Sequence, residues 1–139
     1  MKVCIHNGIR VAVLTRDEHC PPHVHADGPG WKCTFEFSFW HDSVMLDEVE
    51  GGVKRAVLEE LRQVIERPQN LRKARELWWR IMKDICVTNK YWDHDKVEVV
   101  DGKLGTENMP TIESATFNES SYSTILKLSD DQDPLEIEL

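Results

Sequence analysis

The sequence predicts an α+β protein: an antiparallel sheet with two packed helices and a C-terminal β extension. Three observations lead there. Strand-like runs broken by Asn-Gly and Gly-Pro-Gly turns fill roughly the first fifty residues. Two stretches of helical periodicity, split by Pro68, follow from residue 53 to residue 85. After Asn89 the chain returns to short strand-like runs.

Residues 2–6 and 9–15 are apolar-rich and flank Asn7-Gly8, a strong two-residue hairpin signal. That turn puts Cys4 and His6 on one face with Ile9, Val11 and Val13, and Val3 and Ile5 on the other. Both faces are largely apolar, which predicts cover on both sides. Asp27-Gly28-Pro29-Gly30 forces a turn. Residues 31–40 then alternate: Trp31, Cys33, Phe35, Phe37 and Phe39 on one side, Lys32, Thr34, Glu36 and Ser38 on the other. This is a half-buried strand whose aromatic face packs a core in preference to stacking bases. A short strand over 44–49 ends at Gly51-Gly52. Residues 53–66 carry Val57, Leu58, Leu61, Val64 and Ile65 at helical spacing. Pro68 interrupts, and Asn70 is the expected cap of a second helix. Its buried stripe is Leu71, Ala74, Leu77, Trp78, Ile81, Met82 and Ile85. Strands are expected over 96–100, 111–117, 124–128 and 135–139, with turns at 101–102, 118–121 and 130–134. They form either a small acidic meander or added strands on the first sheet.

Charge divides the chain in the same place. All of the net charge of −8 lies after residue 85, where four lysines face twelve carboxylates. The expected units are 1–88 and 89–139. Residues 53–83 are by contrast basic, with nine Lys/Arg against four Glu. No apolar run is long enough to span a membrane, and no signal peptide is seen. Four widely spaced cysteines without a CxxC pair read as reduced thiols, which points to the cytoplasm.

The densest chemistry lies in Asp17-Glu18-His19-Cys20-Pro21-Pro22-His23-Val24-His25-Ala26. Three of the six histidines fall in these ten residues. His23 and His25, two apart on extended chain, point the same way and form a natural chelating pair. His19 would stand roughly 12 Å away on a straight path at about 3.1 Å per residue, so it joins them only across a bend, such as a cis X-Pro bond. The expected metal ligands are His19, His23, His25 and Cys20, holding Zn or Mn, with Asp17, Cys33 and His41 as further candidates. A metal with an open position activates water. Without metal, His23 and His25 can serve as general base and acid. A loop whose histidines only bond the backbone fits the same residues. His6, His41 and His94 are expected in solvent or hydrogen-bonding roles. Arg62, Arg72, Lys73, Arg75 and Arg80 are the expected contacts to a nucleic-acid or protein partner. The chain's own acidic segment competes for that face.

Gly8-Ile9-Arg10 followed by Glu18-His19-Cys20-Pro21-Pro22-His23-Val24-His25-Ala26 resembles the pattern of the bacterial domain of unknown function 4160. The resemblance covers about residues 5–82, including the strand and two-helix order and Trp78. It implies a small protein of bacteria or their mobile elements, in a gene arrangement like that of a toxin–antitoxin pair, and no established activity. The stretch from Met109 to Leu128, with residues 135–139 as a further strand, resembles the partner family of that arrangement, domain of unknown function 2442. The first functional expectation is a small cytosolic toxin–antitoxin-like or phage protein that binds a macromolecule through a metal-holding His-Pro loop. The second is a metal- or histidine-dependent ribonuclease restrained by its acidic C-terminal region. The third is an acidic inhibitor mimicking nucleic acid. Exposed strand edges would favour a homodimer.

Overall fold

The computed structural model describes residues 1–102, 109–130 and 132–139. The chain divides into two compact units, Met1–Lys83 and Asp84–Leu139, against the expected boundary after residue 88. No helix among the described residues is long and apolar enough to cross a membrane.

The first unit runs β1 (Lys2–His6), β2 (Ile9–Ala12), β3 (His23–Gly28), β4 (Trp31–Glu36), β5 (Met45–Gly51), α1 (Arg55–Glu66) and α2 (Pro68–Met82). The five strands form one antiparallel sheet in chain order. The Asn7-Gly8 turn closes the first hairpin, with His6 opposite Ile9. Both residues take positive φ, which Asn and Gly adopt at little cost.

Registers assign the faces. Val11 lies opposite Ala26, Ala26 opposite Cys33, and Val24 opposite Phe35. All five are buried, and with Leu61, Ile65, Leu71, Ala74, Leu77 and Trp78 they make the core. Burying this apolar surface is the main stabilising term of the unit. His6, of the same face, reaches Glu60 of α1 at 3.1 Å. The opposite face is polar: His25 lies opposite Thr34, Asp27 opposite Lys32, and Lys32 opposite Glu50. The expected double cover of the first hairpin is therefore incomplete, and Ile5 stays 58 % exposed.

Three local expectations change. The strand over 31–40 ends at Glu36, although Phe37 and Phe39 remain buried. Pro68 begins α2 at a position where its missing N–H costs nothing. Asn70 does not cap that helix. Its Nδ2 donates to the Val64 carbonyl at 2.7 Å and satisfies the end of α1. Arg75 was placed on the outward basic face, and it is instead buried at 1 % exposure. Its Nε donates to the Ser38 carbonyl at 2.8 Å, and its Nη2 to the His41 carbonyl at 2.7 Å and to Asp42 Oδ1 at 3.0 Å. Helical spacing alone could not separate a surface cation from one that ties α2 to the loop after β4.

The second unit holds a hairpin of β6 (Lys90–Asp93) and β7 (Glu98–Asp101). β8 (Ile112–Asn118), β9 (Ser123–Leu128) and β10 (Leu135–Glu138) form their own antiparallel meander. Ile112, Phe117, Leu126 and Leu128 face its interior. Asn118 Oδ1 accepts from the Ser120 and Ser121 amides at 3.0 and 3.2 Å, which builds the expected turn. β6 went unread because Lys90–Asp93 has neither length nor alternation. Asp131, in the expected 130–134 turn, lies outside the described residues.

Candidate metal centre

The His-Pro stretch, expected as a loop, is strand in its second half. β3 begins at His23, pairs with β2 and β4, and so sits in the middle of the sheet. Hydrogen bonds on both sides hold its backbone. His23 and His25 fall on one side of it, with ring centroids 4.9 Å apart. The Cys20–Pro21 peptide is cis. Across this stretch the chain doubles back and delivers Glu18 to the two imidazoles.

Glu18 Oε1 lies 2.9 Å from His25 Nε2 and 3.3 Å from His23 Nε2. The Glu18 side chain is 2 % exposed, that of His23 6 % and that of His25 27 %. Glu18 Oε2 is buried with no hydrogen-bond partner. A buried carboxylate oxygen without a donor costs on the order of 1–3 kcal/mol or more. His23 Nδ1 lies 2.8 Å from the Pro21 carbonyl oxygen. That oxygen can only accept, so Nδ1 carries the proton and donates it. In the neutral ring the Nε2 lone pair then faces the Glu18 carboxylate. Two acceptors at 3.3 Å repel unless a proton or a cation stands between them.

A metal ion between Glu18 Oε1 and the imidazole nitrogens would answer the second of these demands. The donor atoms of Glu18, His23 and His25 all lie within 4.8 Å of one another. Tetrahedral ligands about 2.0–2.1 Å from zinc stand roughly 3.3 Å apart. The Glu18–His23 spacing equals that value, and the Glu18–His25 spacing is shorter by a few tenths of an ångström. Two imidazoles with one carboxylate are a known donor set of hydrolytic zinc sites and of open iron sites. The His23–Pro21 bond is the second contact that metal-bound imidazoles commonly make, fixing tautomer and ring orientation.

The expected ligands divide around this centre. His23 and His25 belong to it. His19 comes close, its ring edge-on to His23 with centroids 5.3 Å apart, but is outside the converging donor set. Cys20 is exposed at the turn and disulfide-bonded, so its sulfur is no thiolate ligand to the histidines. The expectation of reduced thiols throughout fails there, while Cys4 and Cys33 are free. Cys33 faces the core, and burial, followed by the Asp27 charge, pushes its thiol up to about 11. His41 accepts from the Ser43 amide at Nδ1, and desolvation, with Arg75 beside it, pulls its pKa down. Glu18 is the converging donor that residue spacing missed. Seven residues separate it from His25, too far on an extended chain, and only its place at the head of the His-Pro run hinted at it.

The expected basic contacts divide too. Arg62 is tied to Glu59 at 2.6 Å and to Glu66, and Arg72 to Glu76 at 3.1 Å. The Arg62 bond holds the Glu59 carboxyl below its ordinary range. Arg75 is internal, whereas Lys73 and Arg80 are exposed on α2.

Neither a curated protein nor a solved structure matches this chain. Residues 8–75 match the model of a family described as "Domain of unknown function (DUF4160)". That span runs from the first hairpin through the three donor residues to Arg75, so the match covers most of the sheet-and-helix unit that carries the centre.

Proposed function

We propose that the chain is a macromolecule-binding protein whose Glu18, His23 and His25 hold one divalent ion, zinc or manganese. The observation that carries this reading is the buried Glu18 carboxylate, one oxygen of which has no partner while the other lies 3.3 Å from His23 Nε2 and 2.9 Å from His25 Nε2. Three protein ligands leave an open position, which a water or a group of the partner fills. His25, the most exposed of the three, marks the side of entry. The family resemblance is consistent with a protein of bacteria or their mobile elements, of the toxin–antitoxin type.

The ribonuclease reading is weaker. It needs a free cationic track, yet Arg75 is internal and Arg62 and Arg72 are engaged by glutamates. The exposed side chains next to His25 on the sheet are mainly carboxylates.

The test is metal content and thermal stability of chain purified without a His-tag. The expected result is close to one zinc or manganese per chain. Metal at a hundred times its Kd should add about 2.7 kcal/mol. Glu18→Gln and His25→Asn should fold and lose that gain. A gain equal in wild type and both variants, or absent from wild type, sinks the reading.

A further inference from the structure

The open face of β3, β4 and β5 is hollowed beside the candidate centre. A cleft of about 150 Å³ is lined by His25, Asp27, Lys32, Thr34, Glu48 and Glu50. A shallower depression of about 330 Å³ shares Asp27, Lys32 and Glu50 with it and adds Trp31. The two share these three charged side chains, so carboxylates of β3 and β5 line both.

Charge selects the occupant. Three carboxylates line the groove against one ammonium, and Lys32 already reaches Glu50 at 3.3 Å. An anion is repelled there. A guanidinium fits, because it pairs with carboxylates through two parallel N–H bonds.

The edge selects the shape. β5 is the last strand of the sheet, and all seven of its residues are exposed. The Glu48 amide turns inward to Thr34 Oγ1 at 3.2 Å. Strand alternation then turns the Val49 N–H and C=O outward. Met45, Leu46 and Val49 are 59, 41 and 40 % exposed. A second copy of the chain suits this edge poorly. Antiparallel self-pairing of Met45–Gly51 would bring Asp47, Glu48 and Glu50 of both copies together, and opposed like charges destabilise a ladder.

We infer that β5 and the groove beside it bind an extended, arginine-bearing segment of a partner protein. The segment adds a strand to β5 and lays arginine side chains across Asp27, Glu48 and Glu50. This names the partner chemistry for the macromolecule-binding reading above. It does not need the ion in place.

The experiment measures binding of three labelled nine-residue peptides to the full chain by fluorescence anisotropy, with EDTA and with added zinc. One alternates Arg with Thr, one replaces Arg by Lys, and one replaces Arg by Glu. The expected order is Arg tighter than Lys, with the Glu peptide not bound. Glu48→Gln with Glu50→Gln should weaken the Arg peptide at least tenfold. Val49→Pro, which removes one outward N–H from an edge strand, should weaken all binding while circular dichroism stays unchanged. Equal binding of the Arg and Glu peptides, or no effect of the Gln and Pro variants, overturns the inference. So does absence of binding in both EDTA and zinc, and that result leaves metal content unaffected. Binding in EDTA without any metal uptake would sink the metal reading alone.

Discussion

At the scale of single residues, two buried charged groups show how environment assigns a role. Glu18 and Arg75 are both nearly inaccessible, yet they differ in how they are satisfied. Arg75 spends its donors on two carbonyls and a carboxylate. Its task is structural, and removing it leaves the Ser38 and His41 carbonyls without that donor. Arg75→Ala should cost about 3 kcal/mol in urea unfolding, and Arg75→Lys should recover only part, having no planar fork. A loss below about 0.5 kcal/mol would return Arg75 to the surface set. Glu18, by contrast, keeps one oxygen unpartnered beside two imidazoles.

His41 supplies a pH signature separate from the centre. Desolvation and the Arg75 charge lower its folded pKa below the ordinary value of about 6.5. The folded chain therefore binds fewer protons there than the unfolded chain. Its contribution to stability is present above about pH 6.5 and is lost as pH falls through that value toward the folded pKa. His41→Asn should flatten the fall in unfolding free energy as pH drops below about 6.5, relative to wild type. An unchanged slope would show that His41 titrates alike in both states.

At the scale of elements, β3 does most to build the site. Paired on both sides, it holds His23 and His25 on one face while Val24 and Ala26 enter the core. Much of this was legible. Alternation in 31–36, the Asn7-Gly8 turn and the two helical stripes each reflect local sequence acting through a fixed period. The two-apart spacing of the histidines also survived intact. What was not legible depends on chain reversal. No local pattern brings Glu18 back onto His25, and none distinguishes buried Arg75 from exposed Lys73. The helix junction failed for a similar reason. Asn70 looked like a cap for its own helix, yet its side chain serves the end of the previous one. Asn70→Ala should cost about 1 kcal/mol in unfolding free energy, the usual worth of one such bond. An exposed-position value near zero would show the Val64 carbonyl to be satisfied by water.

At the scale of the whole molecule, the composition split and the structural split agree closely. The carboxylate-rich end of the chain became a unit with its own meander, not an extension of the first sheet. The charge count could reveal that division because charged residues cluster on surfaces of separate units. It could not place the boundary to the residue. The functional weight rests on the first unit, where the DUF4160 span, the three converging donors and the acidic groove all lie.

The most direct test of the account is anomalous diffraction from crystals of the full chain grown with zinc or manganese. The account expects one strong peak in the first unit, about 2.0–2.2 Å from Glu18 Oε1 and from the Nε2 atoms of His23 and His25. A cell with no such peak, in which Glu18 still rests directly against both imidazoles, would contradict it.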